Sequence, residues 1–280
     1  MPNWIKSRLI ESDFNSLQNF LKTTIDIIWN FDTSRFFHLS KISSSVLRIC
    51  HIVDLNQDFE WKSLASTADI CLCNSGPIKN KIQALNRRTF FVNHGYHTNS
   101  IERVQTLPGG NKLKAVYAGN LDIKYLDYEL LCDLITRNPH VDFVFAGNYS
   151  NTNPLNNLDS ANIYLIGSID GNEIASIYSQ ADILLVTYLA EQYEEQLANP
   201  HKMMEYLGSG KTIIATKTLE YENNDLIEMA YSREEFFSKF EAVISHLKEY
   251  NSEKRMHDRR AFALKNSYEH QIKRIEQLIA

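Results

Sequence analysis

Short apolar runs alternate with amphipathic stretches along the 280-residue chain. That alternation restricts the fold to an α/β architecture with a parallel sheet covered on both faces. Six runs fall in the back half, near 113–119, 141–147, 162–166, 181–187, 211–216 and 226–230. Stretches with helical periodicity at 126–137, 172–180 and 202–208 separate them. The front half offers only four strand candidates, 25–29, 46–53, 69–73 and 90–92, with a helical stretch at 14–22. After the last strand, 234–250 and 253–280 read as long helices, with Phe237, Phe240, Ile244 and Leu247 on one face. The breaker-rich segment Thr106-Leu107-Pro108-Gly109-Gly110-Asn111 predicts a boundary. The expected domains are therefore 1–106, 107–264 and a closing helix over 265–280.

Composition narrows the function classes. No run of 18 or more residues is apolar, so no membrane span is predicted. The first residues carry Lys6, Arg8, Glu11 and Asp13 without an apolar stretch, which does not read as a signal peptide. Cys50, Cys71, Cys73 and Cys132 lack zinc spacing. Cys71 and Cys73 alternate with Ile70 and Leu72 and so share a strand face. All four read as small buried hydrophobes in a reducing cytoplasm. Residues 1–110 hold 12 Lys+Arg against 9 Asp+Glu, and residues 111–280 hold 17 against 25. A mildly basic front half suits peripheral contact with the inner membrane face or a phosphate-bearing acceptor, and chance produces so small an excess equally well. There is no basic stripe interleaved with aromatics, so nucleic acid is not an expected partner.

The segment 199–216, Asn-Pro-His-Lys-Met-Met-Glu-Tyr-Leu-Gly-Ser-Gly-Lys-Thr-Ile-Ile-Ala-Thr, reads as a loop, a short amphipathic helix, a glycine stop and a buried strand. Pro200 suits the first helical position, where its missing N–H would be unpaired anyway. Met203, Met204 and Leu207 share one side of the helix, and Glu205 points elsewhere. A helix N-terminus attracts anions, so Lys202 in the first turn adds a cation where cations are ordinarily disfavoured. Two readings stay open: a diphosphate site, or an ordinary unit with a surface lysine.

Pro-x-Lys-x-x-Glu-Tyr-Leu-x-x-Gly-Lys before an apolar strand resembles the donor-site signature of retaining nucleotide-sugar glycosyltransferases with two Rossmann-like domains, family 4. Further likeness follows in chain order: Ala-Val-Tyr-Ala-Gly-Asn-Leu at 115–121, Phe-Val-Phe-Ala-Gly at 143–147, Asn-Ile-Tyr-Leu-Ile-Gly at 162–167, and Tyr178 with Ala-Asp-Ile-Leu-Leu at 181–185. Asn266-Ser267-Tyr268 and the helix after it are similar to the family's closing element. The resemblance covers about 66–280 and implies two facing Rossmann-like domains, with 107–264 binding the donor. Beside that pattern the front domain reads as incomplete, short of roughly a third to a half of a usual domain.

The resemblance also assigns roles. Gly119, Asn120 and Lys124 stand where the family approaches the diphosphate, with Asn120 in an arginine's place and Lys124 matching a lysine. His201 and Lys202 complete that clamp. A solvated loop lysine is the plain alternative for Lys124. Glu205 matches the glutamate that accepts the ribose hydroxyls, and compensation of the helix dipole is its plain alternative. Leu197 stands where a sugar-facing glutamate is usual, with Glu194 and Glu195 out of register. Gly167, Ser168 and Ile169 fall where the family frames the base, and Tyr188 begins the loop after the fourth strand. On the acceptor side, Asp54 and His94 are the catalytic candidates, against a plain role as turn formers.

Transfer to a carbohydrate or lipid-linked acceptor is therefore the expected activity. No cofactor is expected beyond the nucleoside-diphosphate sugar. No metal is expected either, because no two Asp residues lie two apart. The alternatives are a half-enzyme subunit completed by a second chain, and a sugar-nucleotide epimerase of the same fold. A nicotinamide dehydrogenase is disfavoured, since Gly-x-Gly-x-x-Gly occurs at no strand-to-helix turn.

Overall fold

The computed structural model describes residues 3–31, 38–54, 61–98 and 106–279, with side chains from residue 8 onward. The chain divides into two compact units, one of residues 1–93 and 273–280, the other of 94–272.

The first unit holds a parallel sheet in the order β1 (Ile27–Asn30), β2 (Leu47–Ile52), β3 (Ile70–Cys73), β4 (Thr89–Phe91). These lie within two residues of the four expected runs, because a run buried on both faces leaves little else for the chain to do. Alternation divides β3 as expected. Cys71 and Cys73 join Ile10, Phe14, Leu64, Ile78 and Ile82 in one core layer. Ile70 and Leu72 join Ile49, Val92 and Ile275 in the other. Arg48 locks the strand starts: its Nε and Nη2 donate to the Asp69 carboxylate at 2.9 and 2.6 Å, and its own N–H donates to the same group at 2.9 Å. That fork holds Asp69 below the usual carboxylate range.

The second unit holds a six-stranded parallel sheet. Its strands are β5 (Leu113–Ala118), β6 (Val141–Ala146), β7 (Ile163–Gly167), β8 (Ile183–Val186), β9 (Thr212–Thr216) and β10 (Glu228–Ala230). The order is β10-β9-β8-β5-β6-β7, so β5 lies between β6 and β8 and the winding reverses there. This is the Rossmann-type doubly wound order. Helices Tyr128–Arg137, Ile174–Gln180 and Lys202–Ser209 lie in the connections β5–β6, β7–β8 and β8–β9, and Arg233–Ser245 follows β10.

Four expectations change. Residues 106–111 are no slack linker. Leu107 is buried, and buried Asp142 gathers the segment by accepting from Asn111 N–H and Nδ2 (both 2.9 Å) and from Lys114 Nζ (2.6 Å). The division between units falls upstream instead, at Asn93. The helix expected at 234–250 breaks at His246, and the long one after it breaks at Asn266. Cys132 is only half-buried, unlike the other three cysteines, and all four are free. Among the described residues no helix is long and apolar enough to cross a membrane.

Candidate functional site

Ligands of doubly wound sheets bind outside the carboxyl ends of the strands, at the point where the winding reverses. In the second unit that point lies between β5 and β8. The end of β5 is a glycine turn. Gly119 has φ +143°, a backbone conformation that favours glycine, and a Cβ there would lie 2.7 Å from Lys202 Nζ, close enough to displace it. The Gly119 N–H donates to Ala146 O at 2.8 Å, and the Gly147 N–H to Gly167 O at 2.7 Å, which chains together the turns after β5, β6 and β7.

Helix Lys202–Ser209 begins against this turn. Pro200 is not its first residue, as the sequence suggested. His201 occupies the N-cap in αR geometry without a side-chain cap, and Met203 N–H bonds back to Pro200 O at 3.0 Å. Met203, Met204, Tyr206 and Leu207 are buried, which fixes the helix and leaves its opening turn uncapped by any side chain.

Lys202 does not stay on the surface. Its Nζ lies 3.6 Å from the centre of the Tyr117 ring and 5.3 Å from that of Tyr188. The residue as a whole is partly exposed, but its Nζ is buried and finds no hydrogen-bond partner among the described residues. Burial pushes its pKa down to about 7, with Glu205 pulling the other way. Ring faces stabilise an ammonium only in part. The arrangement is an anion-ready cation.

Glu205 sits one helical turn on. Tyr178 Oη donates to its Oε2 at 2.9 Å, and His201 Nδ1 is 3.9 Å from its Oε1. The carboxylate lines a cleft of about 320 Å³ together with Ile174, Tyr178, Lys211 and Arg260. His94 also joins this neighbourhood. Its ring lies edge-on to His201 at 4.9 Å, and Nε2 donates to Asn199 O at 3.1 Å. Burial, and then the neighbouring imidazole, lower its pKa to about 4. His94 is thus a neutral ring fastened to the loop before Lys202, poorly suited to take a proton at neutral pH.

The pattern of the glycosyl transferase-like family matches residues 127–277, more than half of the chain. The chain belongs to the glycosyl transferase-like family. No curated protein matches it. Among solved structures it is similar to HepE of Anabaena in complex with UDP and glucose, at 14% identity and TM-score 0.65 over 91% of this chain and 78% of that one. It is also similar to the apo lipopolysaccharide outer core galactosyltransferase WaaB (15%, TM-score 0.66, 99% and 80%). A third is the catalytic domain of Starch Synthase IV from Arabidopsis thaliana bound to ADP and acarbose (12%, TM-score 0.68, 97% and 75%). The fold is the two-domain glycosyltransferase fold called GT-B.

The remaining candidate residues of this glycosyltransferase-like chain lie at the ends of its strands and in the loops after them. The Asn120 side chain accepts from Asp122 N–H at 2.9 Å, which is turn-building work. Lys124 is exposed and lies 5.3 Å over the Tyr193 ring, so it does not join the groups around Lys202. Ser168 Oγ donates to Asn148 Oδ1, and Ile169 packs against the core. Gly167 has φ +75° with open space around its Cα. Leu197 is buried. Asp54 is exposed after β2 in the first unit. Tyr117, Tyr178 and Tyr206 are what the residue roles missed. Tyr206 Oη accepts from Ala118 N–H at 2.8 Å, pinning the end of β5. Their signal was tyrosine in core positions, where a buried hydroxyl must find a partner. Among the described residues no three His, Cys, Asp or Glu side chains are placed to hold a metal.

Proposed function

We propose that this chain is a retaining hexosyltransferase that uses a nucleoside-diphosphate sugar and delivers to a carbohydrate or lipid-linked acceptor. The observation that carries the reading is the buried, unpartnered ammonium of Lys202 beside the Gly119 turn and an uncapped helix N-terminus. HepE and Starch Synthase IV, of similar fold, hold UDP and ADP respectively. As the bond from the sugar's anomeric carbon to the diphosphate breaks, charge builds on the departing phosphate oxygen. Lys202 and the first-turn N–H groups neutralise it from fixed positions, with no reorganisation at the moment of reaction. The acceptor hydroxyl forms the new bond on the same face and gives its proton to the departing phosphate, so the configuration is retained. Glu205, oriented by Tyr178, accepts the ribose hydroxyls.

Titration calorimetry with UDP, GDP and their sugars in EDTA-containing buffer tests this. Binding should persist without divalent cation and fall about 10- to 100-fold in Lys202→Ala, as expected for a lost charge-assisted contact. Equal losses in Lys202→Ala and in the surface control Lys248→Ala would overturn the clamp.

A further inference from the structure

The two sheets end differently. In the second unit the winding reverses at β5, while the strands of the first run in plain sequence, β1-β2-β3-β4. Among the described residues β1 therefore has a strand on one side only. Edge strands are ordinarily blunted by charge, proline or brevity. β10 has three residues, with Glu228 held by Arg255 at 2.8 Å. β1 has no such guard: it reads Ile-Ile-Trp-Asn, and Ile27 is about half exposed.

Helix Asn3–Leu21 extends this open surface. Ile10 and Phe14 bury it against the sheet face that Cys71, Cys73 and Ile28 share. On one flank Glu11, Asn15 and Gln18 meet residues 41–46, the approach to β2, and Gln18 Oε1 accepts from Ile25 N–H at 3.0 Å. Leu9 and Phe20, three turns apart, stand on the opposite flank, which looks past β1. Phe20 is 83% exposed, and Leu9, Leu17 and Leu21 about half. With Ile27 these side chains present on the order of 400–600 Å² of apolar surface, against ~800 Å² buried by each partner in a standard interface.

Whatever covers this surface must supply a strand edge, and β1 fits itself. Antiparallel pairing with β1 of a second copy, about a two-fold axis at Ile28, sets Ile28 opposite Ile28 and each Ile27 opposite a Trp29. Aliphatic and aromatic cross-strand pairs of this kind stabilise sheets. Asp26 falls opposite Asn30, so no carboxylate meets a carboxylate and no charge lies inside the pairing. The same axis brings both Leu9–Phe20 flanks to one face of the joined sheet. An isologous contact of this type closes at two copies.

We propose that the chain dimerises through β1, the two four-stranded sheets joining into one and the two helices Asn3–Leu21 packing flank to flank over the seam. Every residue used lies in the first unit and none holds the nucleotide, so the dimer is independent of the glycosyl-transfer reading.

Sedimentation velocity on the whole chain, from about 1 to 100 µM, tests it. Wild type should pass from one chain mass to two across that range. Amide exchange at 27–30 should slow at least tenfold between the dilute and concentrated ends, with β7, an edge of the other sheet, unchanged. Ile27→Lys and Phe20→Glu should each weaken the dimer at least tenfold, with the melting temperature of dilute protein and UDP binding the same as wild type's. Leu264→Lys, an exposed apolar control in the second unit, should leave the dimer intact. A monomer throughout, a dimer indifferent to both variants, or one weakened equally by Leu264→Lys overturns the proposal. So does a monomer that sediments with phosphatidylserine-containing vesicles through Phe20, which would make the flank a lipid-binding surface. Absence of UDP binding with the dimer intact overturns the nucleotide reading alone.

Discussion

In Lys202 the proposed function and a strain fall on one residue. A lysine in a helix's first turn is out of place by the dipole argument, and that misplacement was legible in the sequence. The tyrosine cage was not, because Tyr117 and Tyr188 reach it from strand ends 71 residues apart in sequence. With its pKa pushed down to about 7 in the fold, against about 10.4 in an unfolded chain, Lys202 binds fewer protons folded than unfolded between those limits. Its contribution to stability therefore rises with pH across that window and is lost as pH falls through 7. Lys202→Met should raise the melting temperature of the ligand-free protein at pH 6.5, by roughly 1–3 kcal/mol of stability, while weakening nucleotide binding. A lower melting temperature would show the ammonium to be well solvated. A bound diphosphate restores the proton, so calorimetry at pH 8 in two buffers of different ionisation enthalpy should register proton uptake in wild type and none in Lys202→Met. Glu205→Gln should weaken UDP or GDP by about 10- to 150-fold and leave inorganic diphosphate unchanged. Unchanged preference for nucleotide over diphosphate would leave Glu205 a helix-dipole residue.

At the scale of elements, the helix that presents Lys202 is held mostly from its far end. Gly210 closes it at φ +80°. Arg259, 0% exposed, donates to Gly210 O, Tyr250 O and Leu226 O at 3.2, 3.0 and 3.0 Å, and Arg260 donates to Ser209 O. Burial lowers the Arg259 pKa to about 10. Arg259→Met should cost about 2–4 kcal/mol, because three carbonyls lose their donor at once. Denaturant unfolding measures it, with the cap variant Ser232→Ala, about 0.5–2 kcal/mol, as the reference. A smaller loss in Arg259→Met than in Ser232→Ala would mean that the arginine does not anchor this helix. The helix expected at 234–250 fails for a related reason. Asn251 must place its amide where Oδ1 accepts from Thr212 N and Oγ1 at 2.9 and 2.8 Å and Nδ2 donates to Asp182 O at 2.8 Å. That tie between β8 and β9 outweighs one more helical turn, and nothing local in the sequence encodes it.

At the scale of the whole molecule, each unit carries its own sheet and core, and the cores differ in size. The first unit leaves Phe20 83% exposed and Leu17 and Ile27 about half exposed, while the second buries one continuous core across six strands. Fewer buried apolar contacts mean cheaper opening. Hydrogen exchange should release β2 and β3 before β5, β6 and β8, and equal protection of both sheets would count against that difference. The sequence by itself determined the ten strands of the described residues, their parallel class and the family, since apolar runs and glycine stops are local and each can be read in place. It also determined Lys202 and Glu205 as candidates through the spacing of one motif, and Gly119 through the glycine turn at the end of another run. Only the tertiary structure decided which of the candidates meet. It left Lys124 over Tyr193, turned Asn120 to its own loop, set His94 against His201 and enclosed Lys202 between two rings. Such meetings depend on strand order, and strand order is fixed by burial of whole faces at once rather than by any residue's neighbours in the chain.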